Sequence, residues 1–404
     1  MAVVVDKIKH LCGKLLRYAK VLGSNSPADN FRYLKWRLSR SKAVTIRCKG
    51  SDKWAYVSYI PEALLRRDTK YINGHQARRE MRVMASVLHK AGYNIVVQSY
   101  LASHVIRRKF DLVLGLQPNF NIQKRLNPEA VDIYLATGAY LRYANSAVES
   151  RTASFNAKYG TDILPRRLAH FVDEPSETAG RILQIGSKYT IETYAEDIRP
   201  KITLIDQSST LLHEPSIADR LDCFDSKKFL WIGSGSTILK GVDMVLEYFL
   251  EYPEYEIDMV GPVEEDVKAV FESRLRHNPQ IRFHGFVDTN SEKFKRITRD
   301  TSFLIYPSCT EGGPSGAVNV AMKMGLVPIL SKVASPDDID TLGYRLDDLS
   351  ADAVARGVEW SQGLSRDKIK ELMRANHEYA RRWSLENFER EFADYMAKVT
   401  GLNP

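Results

Sequence analysis

Residues 306–329 read YPSCTEGGPSGAVNVAMKMGLVPI, and this stretch decides the fold. It overlaps the end of the apolar run TSFLIYPS (301–308), which reads as a buried strand. Glu311 stands on the loop that follows. Gly312, Gly313, Pro314, Ser315 and Gly316 then lead into SGAVNVAMKMG (315–325), a helix, and VPILS (327–331) is the next strand. Strand, glycine loop, helix and strand make the repeating unit of a parallel sheet covered on both faces. A helix N-terminus carries roughly half a positive charge and several unpaired N–H donors. A sugar diphosphate fits there, with Glu311 gripping sugar hydroxyls and Asn319, one turn into the helix, facing the same cleft. A loop that merely caps a helix seldom needs so many glycines beside a carboxylate.

The same alternation extends upstream. KKFLWIGSG (227–235), YEIDMVGP (255–262) and IRFHGFV (281–287) read as strands ending in glycine turns, each followed by an amphipathic helix. Open α/β sheets bind ligands at the carboxyl ends of their strands. Gly233, Ser234, Gly235 and Ser236, with Lys240 and Gly241 shortly after, lie at such an end. Glycines let backbone approach a phosphate and an ammonium neutralises it; a tight turn with a solvated lysine would read alike. Gly261, and then Gly285, Phe286 and Val287, occupy the next two strand ends and can wall a base pocket.

An earlier series covers the first half. WAYVSYI (54–60), YNIVVQSY (93–100), FDLVLGL (110–116), VDIYLATG (131–138) and GRILQIGS (180–187) read as its strands, the last closing the series. ARREMRVMASVLHKAG (77–92) reads as a helix closed by Gly92. Periodicity lapses between about 200 and 226, which reads as a linker, and 366–399 reads as helical. The expected organisation is a basic amphipathic segment over 1–45, Rossmann-like domains over 46–205 and 206–375, and closing helices over 376–404. A chain of 404 residues exceeds one ordinary core.

Formal charge is +8, which favours an anionic partner. No zinc-finger, RNA-recognition or basic-zipper pattern is present, so nucleic acid is not expected as a partner. Cys12, Cys48, Cys223 and Cys309 lack metal-ligand spacing, which argues for a reducing, cytoplasmic setting and against a zinc site. The N-terminal stretch lacks the unbroken apolar run of a signal peptide, and no run is long enough to span a bilayer. Residues 4–22 read as a basic amphipathic helix suited to an anionic membrane surface, or equally to packing on the first domain.

From about 228 to 331 the chain resembles the donor domain of the GT4-type retaining glycosyltransferases. Lys240-Gly241, Val260-Gly261, Phe283-His284-Gly285-Phe286-Val287 and Glu311-Gly312 match that family's motifs in order and spacing. The resemblance implies a GT-B fold: two Rossmann-like domains around a cleft, with a C-terminal helix crossing back to the first. It implies transfer of a sugar from a nucleotide donor to a glycan or lipid-linked acceptor, with retention and without metal or cofactor. Under it Lys240 binds the donor phosphates, Glu311 and the amides of residues 313–316 hold the sugar, and position 319 holds the ribose. Gly74 and His75 fall where the family's mobile loop meets phosphates and acceptor, and His75 joins Glu311 as a catalytic candidate. Gly138 and Tyr140, at the end of another strand, are acceptor candidates, with Asn145 and Glu149 following at helical spacing. Two positions depart from the pattern. Ser234 replaces the arginine expected at the glycine turn, and Asn319 replaces a second glutamate. A nucleotide-sugar-binding protein without turnover, or an epimerase on the same architecture, are the alternatives. Asp337-Asp338 follows the donor loop and reads as a helix start, not a metal-binding pair.

Overall fold

The computed structural model describes residues 27–402, apart from 172 and 214; the helix read over 4–22 lies outside the described residues. The chain divides into two compact units. One holds residues up to Tyr134 together with those from Phe388 onward, and the other holds Leu135–Asn387.

The first unit is built on β1 (Ala43–Ile46), β2 (Trp54–Tyr59), β3 (Asn94–Ser99) and β4 (Leu112–Gly115), with most of β5 (Val131–Ala136). All six residues of β2 are buried, as expected of a strand covered on both faces. Between β2 and β3 the helix Gln76–Lys90 buries Met81, Met84, Val87 and Leu88, spaced at helical period on one face. It stops where Gly92 takes φ +84°, a conformation glycine adopts without steric cost. β2, β3, β4 and β5 pair in parallel, but β1 runs antiparallel to β3, with Ala43 opposite Gln98. This edge strand was not legible: it has four residues, only one of them buried, between basic flanks.

In the second unit β6 (Arg181–Ile185) pairs in parallel with β7 (Ile202–Ile205). The first sheet has the order β1-β3-β2-β4-β5-β6-β7. GRILQIGS is therefore not the last strand of its series. β7 falls in the stretch read as a linker, and so does the helix Ile217–Cys223. Only one residue of β7 is buried, so it carries no apolar run to announce it.

The second sheet comprises β8 (Asp225–Ile232), β9 (Glu256–Val260), β10 (Ile281–Gly285), β11 (Thr301–Tyr306), β12 (Val327–Leu330) and β13 (Tyr344–Arg345), in the order β10-β9-β8-β11-β12-β13. Its pairs are parallel. Strand alternation divides its side chains between two cores. Phe229, Trp231, Phe303, Ile305, Val327 and Ile329 enter one, and Leu230, Ile232, Leu304, Tyr306 and Leu330 enter the other. Burial on both faces explains why these strands read as continuous apolar runs. From β8 the chain moves outward through β9 and β10, then returns beside β8 with β11 and moves the other way. The switch lies between β8 and β11, and a crevice at their carboxyl ends is where such a sheet takes its ligand.

The tail forms the helices Arg366–Tyr379 and Leu385–Thr400, and residues from Phe388 belong to the first unit. No helix among the described residues is long and apolar enough to cross a membrane.

Candidate active site

The carboxyl ends of β8 and β11 carry Gly233 and Pro307, and the charged pair of the site stands between them. The loop after β8 brings Lys240, buried, to Glu311 on the loop after β11; Nζ lies 3.1 Å from Oε1. The side chains are only 5% and 12% exposed, so each charge depends on the other for compensation. Tyr306 receives a hydrogen bond from the Lys240 ammonium and donates to the same Glu311 oxygen at 2.7 Å. The Ser308 hydroxyl lies 3.1 Å from it. Oε1 thus gathers three donors, and Oε2 has no hydrogen-bond partner among the described residues.

Electrostatics follow from this geometry. Burial pushes the Glu311 carboxyl up, but the Lys240 charge, the Tyr306 hydrogen bond and the Arg167 charge outweigh it and hold the group below the usual carboxylate value. Burial likewise pushes Lys240 down, and Glu311 and Tyr306 reverse the sign, leaving the ammonium above the ordinary lysine value. Both groups are ionised at neutral pH. Burial drives the neighbouring Cys309 thiol up to about 12, so it is a packing residue and no nucleophile.

The glycines at the strand ends have identifiable work. The Gly233 N–H donates to Val260 O at 2.9 Å, and the Gly261 N–H to Gly285 O at 2.8 Å, which knits three strand ends together. Gly261 has φ +120°, and a Cβ there would lie 1.8 Å from the Gly233 carbonyl oxygen. Gly261→Ala is expected to destabilise by about 3 kcal/mol or more, combining backbone strain of about 1–3 kcal/mol with overpacking of similar size. Thermal unfolding checks this, and a wild-type midpoint would show that the strand ends can part without cost. Gly285 is at φ +62° with open space around it, Phe286 is exposed, and Val287 is buried in the core.

Ser234 is exposed at the glycine turn. The turn is not an open phosphate cradle. The amides of Ser236 and Thr237 and the Thr237 hydroxyl all donate to the Glu264 carboxylate. Nothing in the spacing pointed to Glu264, which arrives from the loop after β9.

Gly312 and Gly313 have a packing reason as well as the chemical one read from sequence. A Cβ on Gly312 would stand 2.9 Å from Gly138 Cα, and one on Gly313 would stand 2.7 Å from Ser187 N. Pro314 O accepts from the buried Gln207 amide, and Ser315 caps the helix Gly316–Lys323 through Val318 N–H. Asn319, on that helix, is fully buried, and neither its Oδ1 nor its Nδ2 has a hydrogen-bond partner among the described residues.

Tyr140 is buried, whereas Gly138 is half-buried with open space where a Cβ would stand. Gly138 packs on Gly312, and the Tyr140 hydroxyl donates to Glu177 at 2.7 Å, beside Arg142. Burial and Glu177 push that phenol up to about 12. Asn145 anchors a loop, with its amide donating to Ala169 O and accepting from Ala169 N–H; Glu149 is exposed. In the first unit, Gly74 ends the helix Thr69–Asn73, and His75 caps the helix Gln76–Lys90, with Nδ1 accepting from Ala77 N–H at 3.3 Å. Burial and Arg78 lower its pKa, so the ring is neutral at pH 7. Asp338 stands at the start of the short helix Ile339–Leu342, without a side-chain capping hydrogen bond. Among the described residues no group of three or more His, Cys, Asp or Glu is placed to hold a metal ion.

Residues 226–360, which carry this buried pair and the surrounding strand ends, match the family model of glycosyl transferases group 1. The chain carries a glycosyl transferases group 1 domain, and its fold is that of the GT-B proteins. Its fold is similar to that of sucrose-phosphate synthase from Thermosynechococcus elongatus, at 12% identity and a TM-score of 0.59 over 86% of this chain and 99% of that one. It is also similar to a chain of the GtfA/B complex, at 14% identity and a TM-score of 0.51 over 73% of this chain and 58% of that one. No curated protein matches the chain. At these identities the structural likeness speaks for the fold, and the transferase assignment rests on the matched domain.

Proposed function

We propose that residues around β8 and β11 bind a nucleotide-sugar donor, and that the sugar passes to a glycan or lipid-linked acceptor held by the N-terminal half, with retention and without metal. The observation that carries this is Glu311. A buried carboxylate, kept ionised through one oxygen by Lys240, Tyr306 and Ser308, leaves its second oxygen without a partner among the described residues. Such an oxygen can accept hydrogen bonds from sugar hydroxyls in a site shielded from water, where they are strong. The Asn319 amide, which has no partner among the described residues, supports the same reading, because a buried amide without partners is costly and ribose hydroxyls would satisfy it. The transition state is oxocarbenium-like, so the remaining demand is to stabilise the departing phosphate and hold the acceptor hydroxyl in place. Incubating the protein with a panel of nucleotide sugars, and following release of the nucleotide, tests the assignment. No turnover of any donor by folded protein would favour the second reading, a donor-binding protein without turnover, for which Ser234 at the glycine turn speaks.

The setting we propose is the cytoplasmic face of a membrane, in cell-surface polysaccharide synthesis. Residues 4–22 carry Lys7, Lys9, Lys14, Arg17 and Lys20 beside an apolar face. The full chain is expected to sediment with anionic liposomes at low salt and to lose that binding in high salt. Equal partitioning by a version starting at Asn25 would remove this role from the segment.

A further inference from the structure

The buried pair leaves a donor diphosphate short of positive charge. Lys240 is bonded to Glu311 and Tyr306, so its ammonium is balanced inside the protein. Ser234 is neutral, and the amides of Ser236 and Thr237 are engaged by Glu264. Arg151 is buried against Asp243, and Arg166 is paired with Asp266. A diphosphate placed between β8 and β11 therefore needs another cation.

The loop after the helix Leu141–Tyr159 brings one. It is fixed on both sides of Arg167. On one side Arg166 bonds Asp266 and lies 3.9 Å from Glu264 Oε1, at the glycine turn after β8. On the other, Leu168 packs on Val148, Leu239 and Cys309, and Asn145 holds Ala169 by two hydrogen bonds. Leu239 directly precedes Lys240, and Cys309 N–H donates to Leu239 O at 2.7 Å, two residues before Glu311. Arg167 thus stands on a loop packed against Leu239 and Cys309, which neighbour Lys240 and Glu311 in sequence, and its charge acts to lower the pKa of both. Its backbone takes φ +65°, which a side chain other than glycine's adopts at a cost that the rest of the loop must offset. The side chain is exposed and makes no hydrogen bond or ion pair among the described residues.

We infer that Arg167, on the loop fixed by Arg166, Leu168 and Ala169 against the sequence neighbours of the buried Lys240–Glu311 pair, is a ligand of the donor diphosphate. This rests on the donor-site reading above and adds to it a residue from outside the matched segment 226–360. An arginine presents a planar fork of donors suited to phosphate oxygens, and it remains charged at any working pH.

The test is calorimetric titration of the full chain and of Arg167→Ala and Arg167→Lys with UDP, GDP and ADP, and with uridine, guanosine and adenosine. For whichever diphosphate binds tightest, Arg167→Ala is expected to weaken binding by about ten- to a hundred-fold, the loss of one charge-assisted hydrogen-bonding group. The matching nucleoside should bind as it does to wild type, and Arg167→Lys should fall between. Unchanged diphosphate affinity in Arg167→Ala, or an equal loss for diphosphate and nucleoside, would overturn the inference. Failure of wild-type protein to bind any of the three diphosphates would instead overturn the donor-site reading, and this inference with it.

Discussion

Glu311→Gln is expected to lower sugar transfer by about 100-fold or more, measured as kcat/KM on the best donor of the panel. Glutamine keeps the length and shape of the side chain, so Tyr306 and Ser308 retain an acceptor near the Oε1 position. What disappears is the negative charge that balances Lys240 and the second carboxylate oxygen that would hold sugar hydroxyls. The loss belongs mainly to kcat if Glu311 acts on the sugar as charge develops at its reacting carbon, and mainly to KM if it only holds the ground state. Glu311→Ala should lose at least as much, but it also opens a cavity beside an uncompensated ammonium, so circular dichroism must accompany its kinetics. Wild-type turnover by folded Glu311→Gln would remove Glu311 from the mechanism.

Some of this was legible in sequence for physical reasons that can be named. The carboxyl half of β8 and strands β9, β11 and β12 are buried on both faces, so they appear as apolar runs, and the glycine turns behind them mark where backbones approach closely. Glu311 could be found because a lone carboxylate stands in a glycine loop between a strand and a helix. Its partners could not. Tyr306 reads as one more strand residue, and only the sheet shows that it projects beside Lys240, 66 residues away. Glu264 filling the amides of Ser236 and Thr237 is a tertiary fact without a local signature. Arg167 lies in an aperiodic stretch after Pro165, where two adjacent arginines look like solvated surface. The edge strands β1, β7 and β13 escaped because short, half-exposed strands have neither an apolar run nor clean alternation. Conversely, the glycines at 312 and 313 were read for chemistry alone, whereas Gly138 and Ser187 pack against them.

Lys240→Met should be the most destabilising substitution at the site, by about 3–5 kcal/mol, because it leaves a buried carboxylate without its counter-charge. The dependence on pH has a definite sign. In the wild type, burial alone would raise the Glu311 pKa, but its partners set it below the unfolded value. Its contribution is therefore present above the ordinary carboxylate range and fades as pH falls through the folded pKa. Burial alone would lower the Lys240 pKa, but Glu311 and Tyr306 set it above the unfolded value. That contribution is complete below the ordinary lysine pKa and is lost as pH rises through the folded one. Wild-type stability from this pair is thus level across neutral pH. Without Lys240 the burial of Glu311 is opposed only by Tyr306, Ser308 and Arg167, and its pKa rises. The mutant can then relieve the penalty by taking up a proton, so the stability gap to wild type should narrow from about pH 8 to about pH 5. Urea unfolding at several pH values measures that gap. The double variant Lys240→Met/Glu311→Gln removes both charges and should recover part of the loss at neutral pH, since no uncompensated charge remains. A gap that is constant with pH, or a double variant no more stable than Lys240→Met, would show that the two charges do not compensate one another in the folded protein.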